Sequence, residues 1–398
     1  MTTTGITLER HETMELGFTV PQKPKMPPTQ YLGSKERLVP WILSVAPEDV
    51  DCVFDAFSGT SVVGCHFKLR GAQVFSNDIM KANYHTARAL VENSTETLSD
   101  ADVERSFREN PSRGGLMERL FTGVFFERDQ AVILDNSRAN VERFEGHKKS
   151  LAFAVMCRAL TRKVTVGHFT HLQALNYSKD PERVRRNPNL ARPLRDIFEE
   201  LIPLYNQAVF DNGRRNRAFC ENTLGPVGRL REVDLAYFDP PYVGRHPDYQ
   251  AFYHLWETFV EYWQDKEFRS GTRMYYPRRK SGFVLKSEIV GSLERLFQLC
   301  DDIPYWLISY NRNLPTNGPG GRRLVRLGIP AGRADRRARR GQQMKRYEIC
   351  IARLDPVQGG EMGKTRPVVI VSDDLRNQLL QTVVVCPLTS QFSLGSGP

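Results

Sequence analysis

Two adjacent prolines, behind an acid and ahead of an aromatic, follow the apolar run "VDLAYF" as Asp239-Pro240-Pro241-Tyr242. Proline has a fixed φ and no N–H to donate, so the pair stops a strand ladder and holds a rigid extended turn whose carbonyls point outward as acceptors. With the Asp239 carboxylate at the same place, two acceptors can hold both hydrogens of an exocyclic amine and turn its lone pair toward an electrophile. Tyr242 then offers an aromatic face on which a base stacks. The plain alternative is a β-turn with a packed tyrosine. At a proline frequency of about 5%, such a motif arises by chance in roughly one to two chains of this length in a hundred.

Two more stretches carry residues suited to a ligand. In "DAFSGTSVVG", Gly59 lets the backbone turn tightly after a strand and approach a ligand closely, although a structural turn would use the same residue. Asp78 follows about twenty residues later, where a carboxylate can accept from both hydroxyls of a ribose. It also stands where a cap for the helix "IMKANYHTARAL" would stand, and the two roles are compatible.

These residues have to be positioned by strand ends. "CVFDAF" and "AQVFSND" read as buried strands one helix apart, a β-α-β unit, and "RAFCEN", "VDLAYF" and "YWLISYN" supply a third, fourth and fifth. Alternation with helices predicts an α/β fold with a doubly wound, mostly parallel sheet, in which ligands bind outside the carboxyl ends of the strands. Ahead of the first strand, "YLGSKERLVPWIL" predicts a short helix starting near Ser34. The stretch between the second and third strands is too long for a simple crossover and reads as a helical inserted subdomain over about 92–215. Residues 1–28 end in "PQKPKMPP" and read as an arm, 29–311 as the catalytic domain, 312–343 as a basic Gly/Arg-rich linker, and 344–398 as a short β-rich fragment.

At 398 residues and 40% apolar, the chain is long enough for a sizeable core. A net charge of +10 favours a polyanionic partner, since clustered Lys and Arg release counterions condensed on phosphates. Between Arg322 and Arg346 ten basic residues face one acid, Asp335; contact with phosphates and a solvated linker are both open readings there. Seven scattered cysteines with no C-x-x-C pair suggest neither a zinc cage nor a disulfide framework. With no apolar run of membrane-spanning length and no signal-peptide core, a cytoplasmic protein is expected.

In their order along the chain, "YLGSK", "DAFSGTSVVG", "SNDI" and "DPPY" resemble the motifs of the Dam-like, alpha-group DNA adenine-N6 methyltransferases. The resemblance covers roughly residues 29–311. It implies S-adenosyl-L-methionine as cofactor, with Tyr31 and Lys35 near its methionine end, Phe57 and Gly59 lining it, Asp78 on the ribose, and Asp239 also among the cofactor-binding residues. Asp239 and the Pro240 carbonyl would hold the adenine amine, and Tyr242 would stack on a base flipped out of double-stranded DNA. A cognate restriction endonuclease is the partner such enzymes imply, and no metal is required. The chain departs from the family at Ser61, where a second glycine is usual. Either Glu221 or Asn222 can stand for the acid many relatives carry after the third strand.

From Met344 to Ser390 the chain resembles the first half of a MazF/PemK-type endoribonuclease toxin, with Glu361, Arg366, Pro367, Thr389 and Ser390 matching; Arg366 and Thr389 fall where that family cleaves RNA. "RYEICIARL" could serve as the last methyltransferase strand or the first toxin strand. The tail is expected to dock on the methyltransferase or stay mobile, without cutting RNA. Rival functions are cytosine-N4 methylation, which the same acceptor pair suits, and an RNA-cleaving or RNA-binding module built on the tail. A protein-glutamine methyltransferase fits less well with the long basic insertion.

Overall fold

The computed structural model describes residues 24–309 apart from 165–166, 171, 243–247, 269–278 and 286, and the backbone of three strands further on. The arm before residue 24, the basic stretch Arg322–Arg346, most of the basic loop 269–282, and Glu361, Thr389 and Ser390 lie outside the described residues. So does the 312–343 linker.

Five strands run parallel: β1 (Cys52–Asp55), β2 (Gln73–Asn77), β3 (Arg217–Phe219), β4 (Leu235–Phe238) and β5 (Tyr305–Ile308). Their spatial order is β3-β2-β1-β4-β5, so the order reverses between β1 and β4. Each occupies the stretch anticipated from its apolar run, as the doubly wound reading requires. Side chains alternate across the sheet with period two. Val53, Leu235, Tyr237 and Leu307 enter one apolar layer; Phe54, Ala236, Phe238, Trp306 and Ile308 enter the other. Both faces are buried at β1, β4 and β5, which is why these strands read as continuous apolar runs.

The two layers differ in size. One face is covered mainly by helix Ile289–Leu299 through Ile289, Leu293 and Leu296. The other takes α1 (Val39–Val45), α2 (Val62–Leu69), α3 (Lys81–Ala87) and the helices between β2 and β3, of which Gly146–Arg162 and Leu194–Gln207 bury the longest faces. The inserted helices thus share one continuous core with β1 and β2. In the expected first helix, a 3₁₀ turn at Glu36–Leu38 comes first and regular helix begins at Val39, with Pro40 in the first turn, where its missing N–H costs nothing.

Beyond residue 309, β6 (Ile349–Arg353), β7 (Thr365–Ile370) and β8 (Val385–Pro387) form an antiparallel set, and β8 pairs antiparallel with β5 through Ile308 and Val385. The full order is β3-β2-β1-β4-β5-β8-β7-β6. The Ile349–Arg353 part of "RYEICIARL" therefore forms the outermost strand and pairs with β7, so it is not the neighbour of β5. Among the described residues no helix is long and apolar enough to cross a membrane.

Candidate active site

The reversal between β1 and β4 opens a cleft at the carboxyl ends of the strands. It brings together Tyr31, Lys35, Phe57, Gly59 and Asp78 with Asp239, Pro240 and Tyr242, residues 161 to 211 positions apart in sequence. All the anticipated site residues line this one cleft.

On the β1/β2 side, Gly59 has φ +50° and its N–H donates to Asp78 Oδ2 (2.9 Å), while Asp78 Oδ1 accepts from Met80 N (2.8 Å) just before α3. Asp78 thus ties the glycine loop to the start of α3, and burial pushes its carboxyl up to about 6 against these bonds. Phe57 packs edge-on against Phe283 (4.9 Å, 77°). Ser61, in place of the family's second glycine, takes a left-handed φ of 59°, a conformation that costs a residue with a Cβ about 1–2 kcal/mol. Its hydroxyl is buried without a hydrogen bond.

Gly64, the last residue of the same motif, lets α2 lie close on the sheet: a Cβ there would meet Ser76 Oγ at 2.9 Å and Asp55 Oδ2 at 3.3 Å. Asp55 is 1% exposed, and neither carboxylate oxygen makes a well-formed hydrogen bond, although the Gly64 and Phe57 amides lie near. Burial first, and the Asp239 charge second, push its carboxyl up to about 8. An orphaned carboxylate lining a cleft suits a positively charged ligand, because the cation would stabilise the ionised form that burial disfavours.

On the β4 side Asp239 and Tyr242 are satisfied internally, whereas the buried Tyr237 hydroxyl makes no well-formed hydrogen bond. Lys35 is 7% exposed, and its ammonium donates to Gly33 O (2.8 Å) and forms an ion pair with Asp239 Oδ2. It also lies over the Tyr242 ring, 5.3 Å from the centroid. The Tyr242 hydroxyl donates to Asp239 Oδ1 (3.0 Å) and shares a second bond with Ser309 Oγ (3.1 Å) at the end of β5. Burial, and then Asp239, hold that phenol far above its ordinary range.

Tyr31 sits between the two sides. Its ring stacks on Tyr253 (4.4 Å, 14°) and Tyr249 (5.5 Å, 14°), and Asn83 donates to its hydroxyl (3.2 Å). Of Glu221 and Asn222, Asn222 lines the cleft, while Glu221 pairs with Arg229 (2.6 Å). Sequence reasoning missed Asp55, Ser309 and Tyr249. An acid as the last residue of a buried strand was a usable signal for Asp55; Ser309 and Tyr249 stand in no motif. Among the described residues no cluster of His, Cys, Asp or Glu could hold a metal ion.

A doubly wound sheet whose cleft joins a glycine loop and the acid after β2 to the Asp-Pro-Pro-Tyr turn after β4 is the arrangement that the sequence resemblance anticipates for an amino-group methyltransferase. Residues 31–298 match the model of the D12 class N6 adenine-specific DNA methyltransferases, and the chain belongs to that family. It is 34% identical over 299 residues to the type II methyltransferase M2.HphI of Haemophilus parahaemolyticus, covering 72% of this chain and 84% of that one. The modification methylase StsI of Streptococcus sanguinis is 24% identical over 311 residues, with 71% of this chain and 44% of the relative aligned. Residues 345–394 match a second model, the PemK-like, MazF-like toxins of type II toxin-antitoxin systems. Over 55 residues the chain is 40% identical to the endoribonuclease MazF of Staphylococcus saprophyticus, 14% of this chain and 46% of that protein. The protein is an adenine-N6 DNA methyltransferase, and methyltransferases of this kind draw the methyl group from S-adenosylmethionine.

Proposed function

We propose that this cleft binds S-adenosyl-L-methionine along the β1/β2 side and a flipped adenine on the β4 side, and that the enzyme is the modification partner of a restriction endonuclease. The observation that carries the reading is the meeting of Gly59, Asp78, Asp239 and Tyr242 in one cleft at the switch point of the sheet. The names of its relatives, a type II methyltransferase and a modification methylase, support the restriction-modification setting. When bound, S-adenosylmethionine supplies a methyl group on a positively charged sulfur. Asp78 and the Gly59 loop hold the ribose side, Phe57 and Tyr31 wall the cofactor, and Asp55 offers its orphaned carboxylate to the cofactor's positive charge.

Asp239 and the Pro240 carbonyl would accept the two hydrogens of the adenine amine and aim its lone pair along the line of transfer. The exchange is easy at Oδ1: when Tyr242 gives up Asp239, its hydroxyl still has Ser309. The Tyr242 ring supports the base. No strong base is needed, because the amine becomes acidic once methylated, so positioning and electrostatics supply most of the rate. Mass analysis of DNA from cells expressing the chain tests the reading; N4-methylcytosine in place of N6-methyladenine would overturn the base assignment, and intact activity in Asp239→Ala would overturn the site.

The toxin-model match favours a second reading, in which the tail cuts RNA. We infer that it does not, and that β6, β7 and β8 extend the methyltransferase sheet; the pairing of β8 with β5 supports this. Cleavage of single-stranded RNA by the full chain, lost in Arg366→Ala, would show the tail to be a working nuclease.

A further inference from the structure

We propose that the Tyr249 hydroxyl faces the sulfonium centre of S-adenosylmethionine and helps the enzyme prefer that charged cofactor to the uncharged thioether product, S-adenosylhomocysteine. The inference rests on the cofactor reading above and assigns a role that no motif marks.

Tyr249 opens a one-turn helix (Tyr249–Phe252) whose first turn is capped by the Asp248 side chain accepting from Ala251 N (3.0 Å). Its ring lines the cleft and stacks on Tyr31, which stacks in turn on Tyr253; that ring is only 1% exposed, with its hydroxyl accepting from Leu32 N (2.8 Å). The ring is therefore held rigidly at the cleft wall, and the hydroxyl projects along the YLGSK turn. A Cβ on Gly33 would stand 2.9 Å from that oxygen, so glycine at φ +81° is what gives it room. Gly33 O accepts from Lys35, whose ammonium pairs with Asp239; Gly59, which donates to Asp78, lies so near the Tyr31 ring that a Cβ on it would stand 3.5 Å away.

The hydroxyl thus belongs to the same cleft as Asp78 and Asp239, the acids assigned above to the ribose and the amine. Asp239 and Asp78 both oppose its ionisation, after burial, consistent with a phenol oxygen facing both carboxylates. In the cofactor, the sulfur and its methyl group are the atoms that lie between the ribose and the attacking amine. Among the described residues the Tyr249 oxygen makes no hydrogen bond, so it can direct a lone pair at C–H groups polarised by the adjacent positive sulfur. Such contacts are weak, about 0.5–1 kcal/mol each, and vanish as the sulfur loses its charge. They would act on the distinction between cofactor and product rather than on overall affinity.

Titration calorimetry of the full chain with S-adenosylmethionine and S-adenosylhomocysteine tests this. In Tyr249→Phe the stacked ring stays, and the preference for the charged ligand, taken as the ratio of the two dissociation constants, should fall about threefold to fivefold. Tyr249→Leu should weaken both ligands while lowering the ratio by the same factor. An unchanged ratio in Tyr249→Phe beside tight wild-type binding overturns the inference, as does a larger change of ratio in Tyr249→Leu, which would assign the discrimination to the ring. A wild-type chain that binds neither ligand would bring down the cofactor reading, and this inference with it.

Discussion

The two sides of the cleft are built on opposite principles. On the β4 side the turn after the strand already has its partners: Asp239 holds Lys35 with one oxygen and Tyr242 with the other, and Tyr242 keeps Ser309 in reserve, while the Tyr237 hydroxyl within the strand is buried without a well-formed hydrogen bond. On the β1/β2 side Asp55 is buried without a well-formed hydrogen bond, and Ser58 and Ser61 are buried with unpartnered hydroxyls. A satisfied network is rigid and fixes geometry, whereas an orphaned buried carboxylate stores a penalty that a bound cation relieves. On the assignment proposed above, the base side would be preorganised for chemistry and trade bonds when its substrate arrives, while the cofactor side would gain bonds on loading.

The sharpest way to break this contrast is Asp239→Ala. It should lower methyl transfer by roughly 10³-fold or more while S-adenosylmethionine affinity changes only a few fold, because the residue acts mainly on the amine. Radiolabel transfer and calorimetry on one preparation check both halves; equal losses would merge the two sides into one. Tyr242→Ala should cost about 1–3 kcal/mol of base stacking, hence roughly tenfold to a hundredfold in kcat/KM, and Tyr242→Phe much less, since the ring remains.

Asp55→Asn probes the cofactor side through pH. Burial raises the Asp55 carboxyl from 3.8 to about 8, so the apo fold holds the proton more tightly than the unfolded chain does. Its contribution to apo stability is complete below about pH 4 and is lost as pH rises to about 8, so stability should fall across that window. Asp55→Asn should flatten that fall in denaturant titrations and weaken S-adenosylmethionine about tenfold, as loss of a charge-assisted contact would. A slope identical to wild type would show that Asp55 is not the orphan described.

Smaller effects are expected away from the chemistry. Deleting residues 357–398 removes β7 and β8 and bares the β5 edge, yet leaves all the cleft residues in place, so methylation should stay within a few fold of the full chain. A loss comparable to Asp239→Ala would show that the sheet extension positions the base side. Ser61→Gly should raise unfolding stability by about 1 kcal/mol, since glycine adopts the left-handed region without a Cβ clash. A fall in the midpoint of thermal unfolding would mean that the serine hydroxyl has a partner that compensates the strain.

Much of this molecule was legible because its determinants are local. Prolines 240 and 241 end a strand wherever they stand, Gly59 permits a turn, and strands buried on both faces read as apolar runs. A parallel sheet then sends the ends of all five strands to one edge, so residues scattered from Tyr31 to Tyr242 meet without any long-range signal in the text. What the tertiary structure decided was pairing between distant segments. Only packing shows that Asp55 lacks a partner, that Asn222 rather than Glu221 turns to the cleft, that Ser309 backs Tyr242, and that Tyr249 stacks on Tyr31. Likewise "RYEICIARL" carries a strand pattern that fits two positions, and its place beside β7 rather than β5 follows from antiparallel pairing with a segment more than ten residues downstream. Backbone hydrogen bonds are indifferent to sequence, so strand identity can be read from the residues while strand neighbours are settled only by the assembled sheet.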